Sequence, residues 1–276
     1  MVTGNSADSH LNSRSGISLV YIAKALGLNR IINFVIQFTP RPIQEKITAL
    51  RVQRYLNTYG VDGMVVLPME DLKQKQRESL QYLIDRLGAE NLGDYLEFGV
   101  FSGTSISCMY QVLQEFNLPQ VRLFGFDSFE GMPESSATED EGTWEPGQFK
   151  FGIEYTKGIL TARGIDWDRV LLTKGWFCDT LTPEFRQQHQ IKKASILMVD
   201  CDIYSSTVDV LKFCEPLIQD EVVIFFDDWN SNHLADKNLG EKKAFDEFLA
   251  AHPEFTIQEF GNYTSHSACF IVKRRS

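Results

Sequence analysis

The chain has 276 residues, 43% of them apolar and 23% charged, with a formal net charge of −10. That length holds one large α/β domain with an N-terminal addition, and the composition is that of an ordinary folded globule. The acid excess argues against a nucleic-acid backbone as partner, which needs a basic footprint, and gives no support for attachment to anionic membranes.

Met1 to Ser15 is polar, with no secretory signal. Residues 16–39 are apolar in aggregate, but Lys24, Asn29 and Arg30 interrupt them. This speaks against a spanning helix and for an amphipathic one broken near Gly27-Leu28-Asn29. Its apolar face is expected on the core or a second subunit before a lipid surface. Pro40 and Pro42 end it, and Ile43 to Asn57 is a second helical stretch. Residues 1–60 therefore read as a helical extension, a cap or a dimerisation element, ahead of a main domain over 61–276. Within that domain, Tyr59 to Gly63 is a turn and Met64 to Pro68 a short apolar segment. Leu72, Leu80, Leu83, Ile84 and Leu87 give helical period from Glu70 to Leu87.

Tyr95-Leu-Glu-Phe98 is a short apolar run that turns at Gly99 and Gly103. Ser105 to Phe116 then carries helical spacing through Ile106, Met109, Tyr110, Leu113 and Phe116. Strand, glycine loop and helix in this order place the loop at the carboxyl edge of a sheet, where such folds bind ligands. The spacing Glu-x-Gly-x-x-x-Gly is neither the dinucleotide fingerprint nor a P-loop. Glu97 would repel a pyrophosphate but suits a ribose hydroxyl or a cationic group.

Further strands follow at Val121–Phe126, Val170–Lys174, Ala194–Val199 and Glu221–Phe226, with helices at 149–165, 205–217 and 238–251. Phe255–Phe260 and Ala268–Lys273 form a closing antiparallel pair. The alternation predicts an α/β fold with a doubly wound, mostly parallel sheet of seven strands. Asp127, ending the second strand, stands where ribose hydroxyls are accepted in nucleoside-binding folds. Residues 131–150 read as a loop without internal structure, either a lid over the pocket or simple disorder, in which Trp144 is either a substrate contact or a clasp. The five cysteines are scattered without zinc or redox spacing, which fits reduced thiols in the cytoplasm.

Asp200, Asp202, Asp227 and Asp228 are the sharpest feature. Each pair follows a strongly apolar run, so each sits at the carboxyl edge of a strand. If those strands are neighbours, the pairs converge and repel unless a hard cation such as Mg²⁺ or Ca²⁺ lies between them. Three carboxylates can hold the ion and a fourth can act as a base on a hydroxyl. Helix capping, available to Asp202 ahead of Ser205, accounts for one or two of the four but not for all.

Five ordered motifs, Tyr95-Leu-Glu-Phe-Gly-Val-Phe-Ser-Gly103, Phe126-Asp-Ser-Phe-Glu-Gly-Met-Pro133, Gly175-Trp-Phe-Cys-Asp-Thr-Leu181, Val199-Asp-Cys-Asp-Ile-Tyr-Ser-Ser-Thr207 and Phe226-Asp-Asp-Trp229, together resemble the macrocin O-methyltransferase family. The resemblance runs from about Val61 to Lys273. It implies a Rossmann-like class I methyltransferase using S-adenosylmethionine and Mg²⁺ to methylate a sugar hydroxyl of a natural product. By position it implies a cofactor loop of Glu97, Gly99, Phe101, Ser102, Gly103 and Ser105, with Asp127 on the ribose. Ser128, Gly175 and Trp176 would lie near the adenine. Asp200, close to the cofactor, would bind the metal with Asp227 and Asp228, and Asp202 would be the general base. Ser102 stands where the family commonly has arginine, and the lid differs from the family's, which leaves the acceptor open between sugar, polyketide and lipid hydroxyls. A homodimer built on the N-terminal helices is expected. A non-catalytic module whose apolar N-terminal segment docks a partner or membrane competes, against which stand the intact acidic residues at every expected site. Two other classes compete: a metal-dependent glycosyltransferase, since Asp200-Cys-Asp202 is a D-x-D, and a nicotinamide dehydrogenase. The first leaves Glu97 to Gly103 without a role; the second has the wrong glycine spacing and no use for four aspartates.

Overall fold

Strands covered on both faces read as nearly continuous apolar runs, because neither side meets water. In the computed structural model of the chain the six residues each of Ala194–Val199 and Glu221–Phe226 are all buried, and all but Ser195 and Glu221 are apolar. The structure describes residues 36, 38–62, 65 and 67–275. The polar start and the amphipathic helix expected over 16–39 lie outside these, except for residues 36, 38 and 39, as do 63, 64 and 66. The chain divides into two units, Met1–Arg54 and Tyr55–Ser276.

The helices are α1 (Arg41–Tyr59), α2 (Met69–Leu87), α3 (Thr104–Glu115), α4 (Ile153–Ala162), α5 (Phe177–Thr180), α6 (Pro183–Gln188), α7 (Tyr204–Cys214) and α8 (Gly240–Ala251). The strands are β1 (Asp94–Phe98), β2 (Leu123–Asp127), β3 (Val170–Lys174), β4 (Ala194–Val199), β5 (Glu221–Phe226), β6 (Phe255–Glu259) and β7 (Ala268–Arg274). They form one sheet in the order β3-β2-β1-β4-β5-β7-β6. The first five run parallel, and β7 lies antiparallel to both β5 and β6. This is the doubly wound, mostly parallel architecture the alternation predicts. Leu80 and Leu83 of α2, Ile106 and Met109 of α3 and Leu160 of α4 pack on one face. Val210, Leu211 and Phe213 of α7 and Phe245 and Phe248 of α8 pack on the other.

Two short helices, α5 and α6, fall between β3 and β4, where the sequence suggests no helix. Pro183 in the first turn and a bond from the Phe185 amide to Thr182 Oγ nucleate α6. The 131–150 loop is not structureless either. It holds two short 3-10 turns, Glu134–Ala137 and Glu139–Gly142. Its base is pinned by Met132 N to Gln148 O at 2.8 Å and Gly147 N to Met132 O at 2.9 Å. Trp144 is buried against Met132 and Ile203, so it serves as a clasp.

Tyr82 Oη donates to Glu221 at 2.6 Å, and Arg86 and Lys273 pair with the same carboxylate at 2.9 Å each. This ties α2 to the start of β5. Among the described residues no helix is long and apolar enough to cross a membrane.

Candidate active site

Register builds the site. Phe98 is paired with both Phe126 and Val199, and Val199 with Phe226. The residues that follow, Gly99, Asp127, Asp200 and Asp227, therefore line up along the carboxyl edge. The ladder runs one step past the strands to fix them: Gly99 N to Phe126 O at 2.9 Å, Asp200 N to Phe98 O at 2.9 Å, Asp227 N to Val199 O at 3.0 Å. The strand order reverses between β1 and β4, so a crevice must open at that edge.

A cavity of about 250 Å³ occupies the crevice. Its wall includes ten of the residues singled out in the sequence: Gly99, Phe101, Asp127, Ser128, Gly175, Trp176, Asp200, Asp202, Asp227 and Asp228. Glu97, Ser102, Gly103 and Ser105 do not reach it. Glu97 is fully buried beneath, bonded at 2.5 Å by Tyr95 Oη, and burial pushes its carboxyl up to about 8. Gly103 starts α3 with φ 84° and faces Leu160. Their place in the structure is the packing behind the loop.

Asp127 organises the loop. Its Oδ2 accepts from the amides of Val100 and Phe101, each at 2.8 Å, and its Oδ1 from Phe129 N. Burial raises its pKa, and those backbone donors oppose the rise. Ser128 Oγ donates to Gly131 O at 2.9 Å, and the indole of Trp176 is 39% exposed. Phe101, Phe149 and Asp202 on the cavity wall all have positive φ, a conformation bulky side chains avoid.

At the other end the carboxylates converge. Asp200, Asp227 and Asp228 each offer an oxygen within 4.8 Å of the others'. Asp202 shares the cavity wall with Asp228, whose negative charge opposes ionisation of its carboxyl. Burial, and then mutual repulsion, raises Asp200 and Asp202 well above the usual carboxylate range and Asp227 to about 7. Oxygen-only donors, partly or fully buried and destabilised as anions, fit a hard divalent cation. Among the described residues lining the cavity no lysine or arginine competes for the role. The other clustered group, Glu215, His252 and Glu254, is already served by Arg274, 2.6 Å from Glu215 and 3.7 Å from Glu254.

Sequence reading missed three residues here. Tyr263 Oη, from the β6–β7 loop, donates to Asp227. His266 of the same loop joins the wall. Glu241 is wholly buried and accepts the Asp228 amide at 3.1 Å. Glu241 had a signal: it stands in line with Ala244, Phe245 and Phe248, on the buried face of α8. The two loop residues had none, because only the tertiary path of the loop brings them in.

Residues 46–252 match the macrocin-O-methyltransferase (TylF) family. The chain belongs to that family. Its relatives include the 8-demethyl-8-(2,3-dimethoxy-alpha-L-rhamnosyl)-tetracenomycin-C 4'-O-methyltransferase of Streptomyces olivaceus, 29% identical over 56% of this chain and 60% of the relative's. A second is the mycinamicin III 3''-O-methyltransferase of Micromonospora griseorubida, 25% identical over 56% of this chain and 63% of that one. The match thus spans less than two thirds of either relative's length. Among solved structures, the O-methyltransferase NovP superposes with a TM-score of 0.60 at 20% identity, covering 75% of this chain and 80% of its own. That likeness shows the fold, which is the class I methyltransferase fold that this TylF-family chain was expected to have.

Proposed function

We propose that the protein is a divalent-cation-dependent O-methyltransferase that moves a methyl group from S-adenosylmethionine to a sugar hydroxyl of a glycosylated natural product. The observation that carries the reading is the meeting, in one cavity, of the Gly99–Asp127–Trp176 side with the four-aspartate side. Names borne by the tetracenomycin and mycinamicin relatives support the sugar hydroxyl as acceptor.

In this reading Asp127 accepts a ribose hydroxyl with the one lone pair, on Oδ1, that its three backbone donors leave open, and Trp176 and Ser128 flank the adenine. Asp200, Asp227 and Asp228 hold the cation, with Tyr263 orienting Asp227 and Ser231 orienting Asp228 at 2.7 Å. A bound Mg²⁺ supplies Lewis acidity that favours loss of an acceptor proton. Bound S-adenosylmethionine supplies an electrophilic methyl on a sulfonium, and the acidic wall complements that positive charge. Asp202 takes the acceptor proton at a carboxylate oxygen and holds it beside Asp228. Alignment of oxygen and methyl in a closed pocket accounts for much of the rate. A homodimer built on residues 1–60 and a cytoplasmic location belong to the same proposal. Light scattering of the whole chain tests the first.

The deciding experiment follows transfer from labelled S-adenosylmethionine to a panel of glycosides and their aglycones, with Mg²⁺ and with EDTA. Label appearing on glycosides alone, and only with the metal, is the expected result. Label on aglycones would move the acceptor to a non-sugar hydroxyl. A thermal shift with a nucleotide sugar but none with S-adenosylhomocysteine would favour the D-x-D glycosyltransferase.

A further inference from the structure

Two helices bracket the aspartate cluster, and neither caps itself. α7 starts two residues after Asp202 behind Ile203, and α8 starts behind Leu239, so both N-caps are apolar and offer no side-chain oxygen. First-turn amides without an acceptor are costly when shielded from water. The missing acceptors come from the lid. Asp140 Oδ2 accepts Tyr204 N at 2.9 Å, and Asp140 Oδ1 accepts Gly240 N at 2.8 Å. Glu139 accepts Ser205 N at 3.0 Å and Ser205 Oγ at 2.9 Å. Asp140 is buried, at 7% exposure, and holds a positive φ of 50° to make both bonds. Negative charge at a helix N-terminus is also favoured by the helix dipole.

What those helices carry gives the arrangement its meaning. The turn into α7 contains Asp202, at φ 68°. A Cβ on Gly240 would lie 3.8 Å from the Asp202 carbonyl, so the start of α8 abuts the same turn. The next residue, Glu241, grips the amide of Asp228. One lid carboxylate thereby ties together the backbone behind Asp202 and the backbone behind Asp228.

We infer that Asp140 is a positioning residue: closure of the 131–150 loop places its carboxylate across the N-termini of α7 and α8, and so sets the spacing of Asp202 against Asp228. The inference rests on the reading of those two aspartates given under the proposed function. It makes the loop part of the site's assembly as well as its cover. An open loop leaves both helix starts uncapped and the aspartates out of register.

The test compares Asp140→Asn with the whole wild-type protein. Asparagine keeps the shape but turns one acceptor into a donor facing an amide. Glu-C protease reports loop opening, since Glu134, Glu139, Glu141 and Glu145 are potential cleavage sites. Calorimetry with Mg²⁺ alone reports the aspartates, and S-adenosylhomocysteine reports the Asp127 side. In Asp140→Asn, loop cleavage should rise about tenfold and Mg²⁺ affinity fall about fivefold or more. Turnover on the best glycoside of the panel should fall on the order of 10²-fold, with S-adenosylhomocysteine affinity held within about twofold. Lys237→Gln, which breaks only the exposed pair with Glu141 and keeps every Glu-C site, should leave all four unchanged. A cleaved loop with normal Mg²⁺ affinity and normal turnover overturns the inference. So does a proportional loss of S-adenosylhomocysteine affinity, which would mean general loosening. Normal turnover by Asp202→Asn would instead overturn the reading on which the inference rests.

Discussion

Replacing Gly99 by alanine tests whether the site is assembled by contact between strand ends. Gly99 has φ 92°, and a Cβ there would lie 1.6 Å from the Asp200 carbonyl oxygen. Contacts of that kind need about 3 Å, so the β1 and β4 exits would have to separate by about 1.4 Å. The left-handed backbone costs about 1–2 kcal/mol for alanine, and overpacking adds about 1–3 kcal/mol. The sum, about 2–5 kcal/mol, is a large share of the ~5–15 kcal/mol that holds a typical domain together. Urea unfolding should show the midpoint fall with little change in slope. Because the displaced carbonyl belongs to Asp200, Mg²⁺ affinity by calorimetry should fall in step with stability. A loss under about 1 kcal/mol with normal Mg²⁺ and S-adenosylhomocysteine binding would refute the reasoning.

Asp202→Asn should cut turnover by about 10²–10⁴-fold while S-adenosylhomocysteine binds near normally, measured by single-turnover transfer and calorimetry. The acidic cluster predicts an unusual pH dependence without metal. Asp227 is raised from 3.8 to about 7, so the native state keeps a proton that the unfolded chain releases near pH 4. Stability in EDTA should therefore decline as pH rises from about 4 to about 7, and Mg²⁺ should restore it; scanning calorimetry that finds a flat profile in EDTA would contradict this. Glu221 behaves oppositely. Arg86 above all, with Tyr82 and Lys273, holds it at about 2, below its ordinary 4.5, so its contribution is full above pH 4.5 and is lost as pH falls toward 2. Glu221→Gln should lower stability by about 1–2 kcal/mol at pH 7, the half-exposed Arg86 and Lys273 being screened by solvent, and the gap from wild type should shrink by pH 3 in parallel denaturation curves.

The strands were legible because each is a local apolar run with its own stop signal, and the four aspartates because they sit at those stops. Convergence of the aspartates could be argued only conditionally, since the adjacency of β4 and β5 is a fact of pairing. What stayed hidden was non-local. Asp140 lies in a polar stretch whose composition says loop, and nothing nearby marks it as the cap for helices 64 and 100 residues further on. Tyr263 and His266 reach the site through the fold of the β6–β7 connection. α5 and α6 were lost for another reason: helices of four and six residues carry too few turns for a period to register.

Register between β4 and β5 has a consequence for how the chain is policed. A slip of one residue would point alternate side chains to the wrong layer, and it would also carry Asp200 past Asp227 by a full step along the edge. A chain paired out of frame thus loses the proposed cation site at the moment it loses its packing. Titrating the freshly refolded protein with a divalent ion should count the correctly threaded molecules directly, with no acceptor needed.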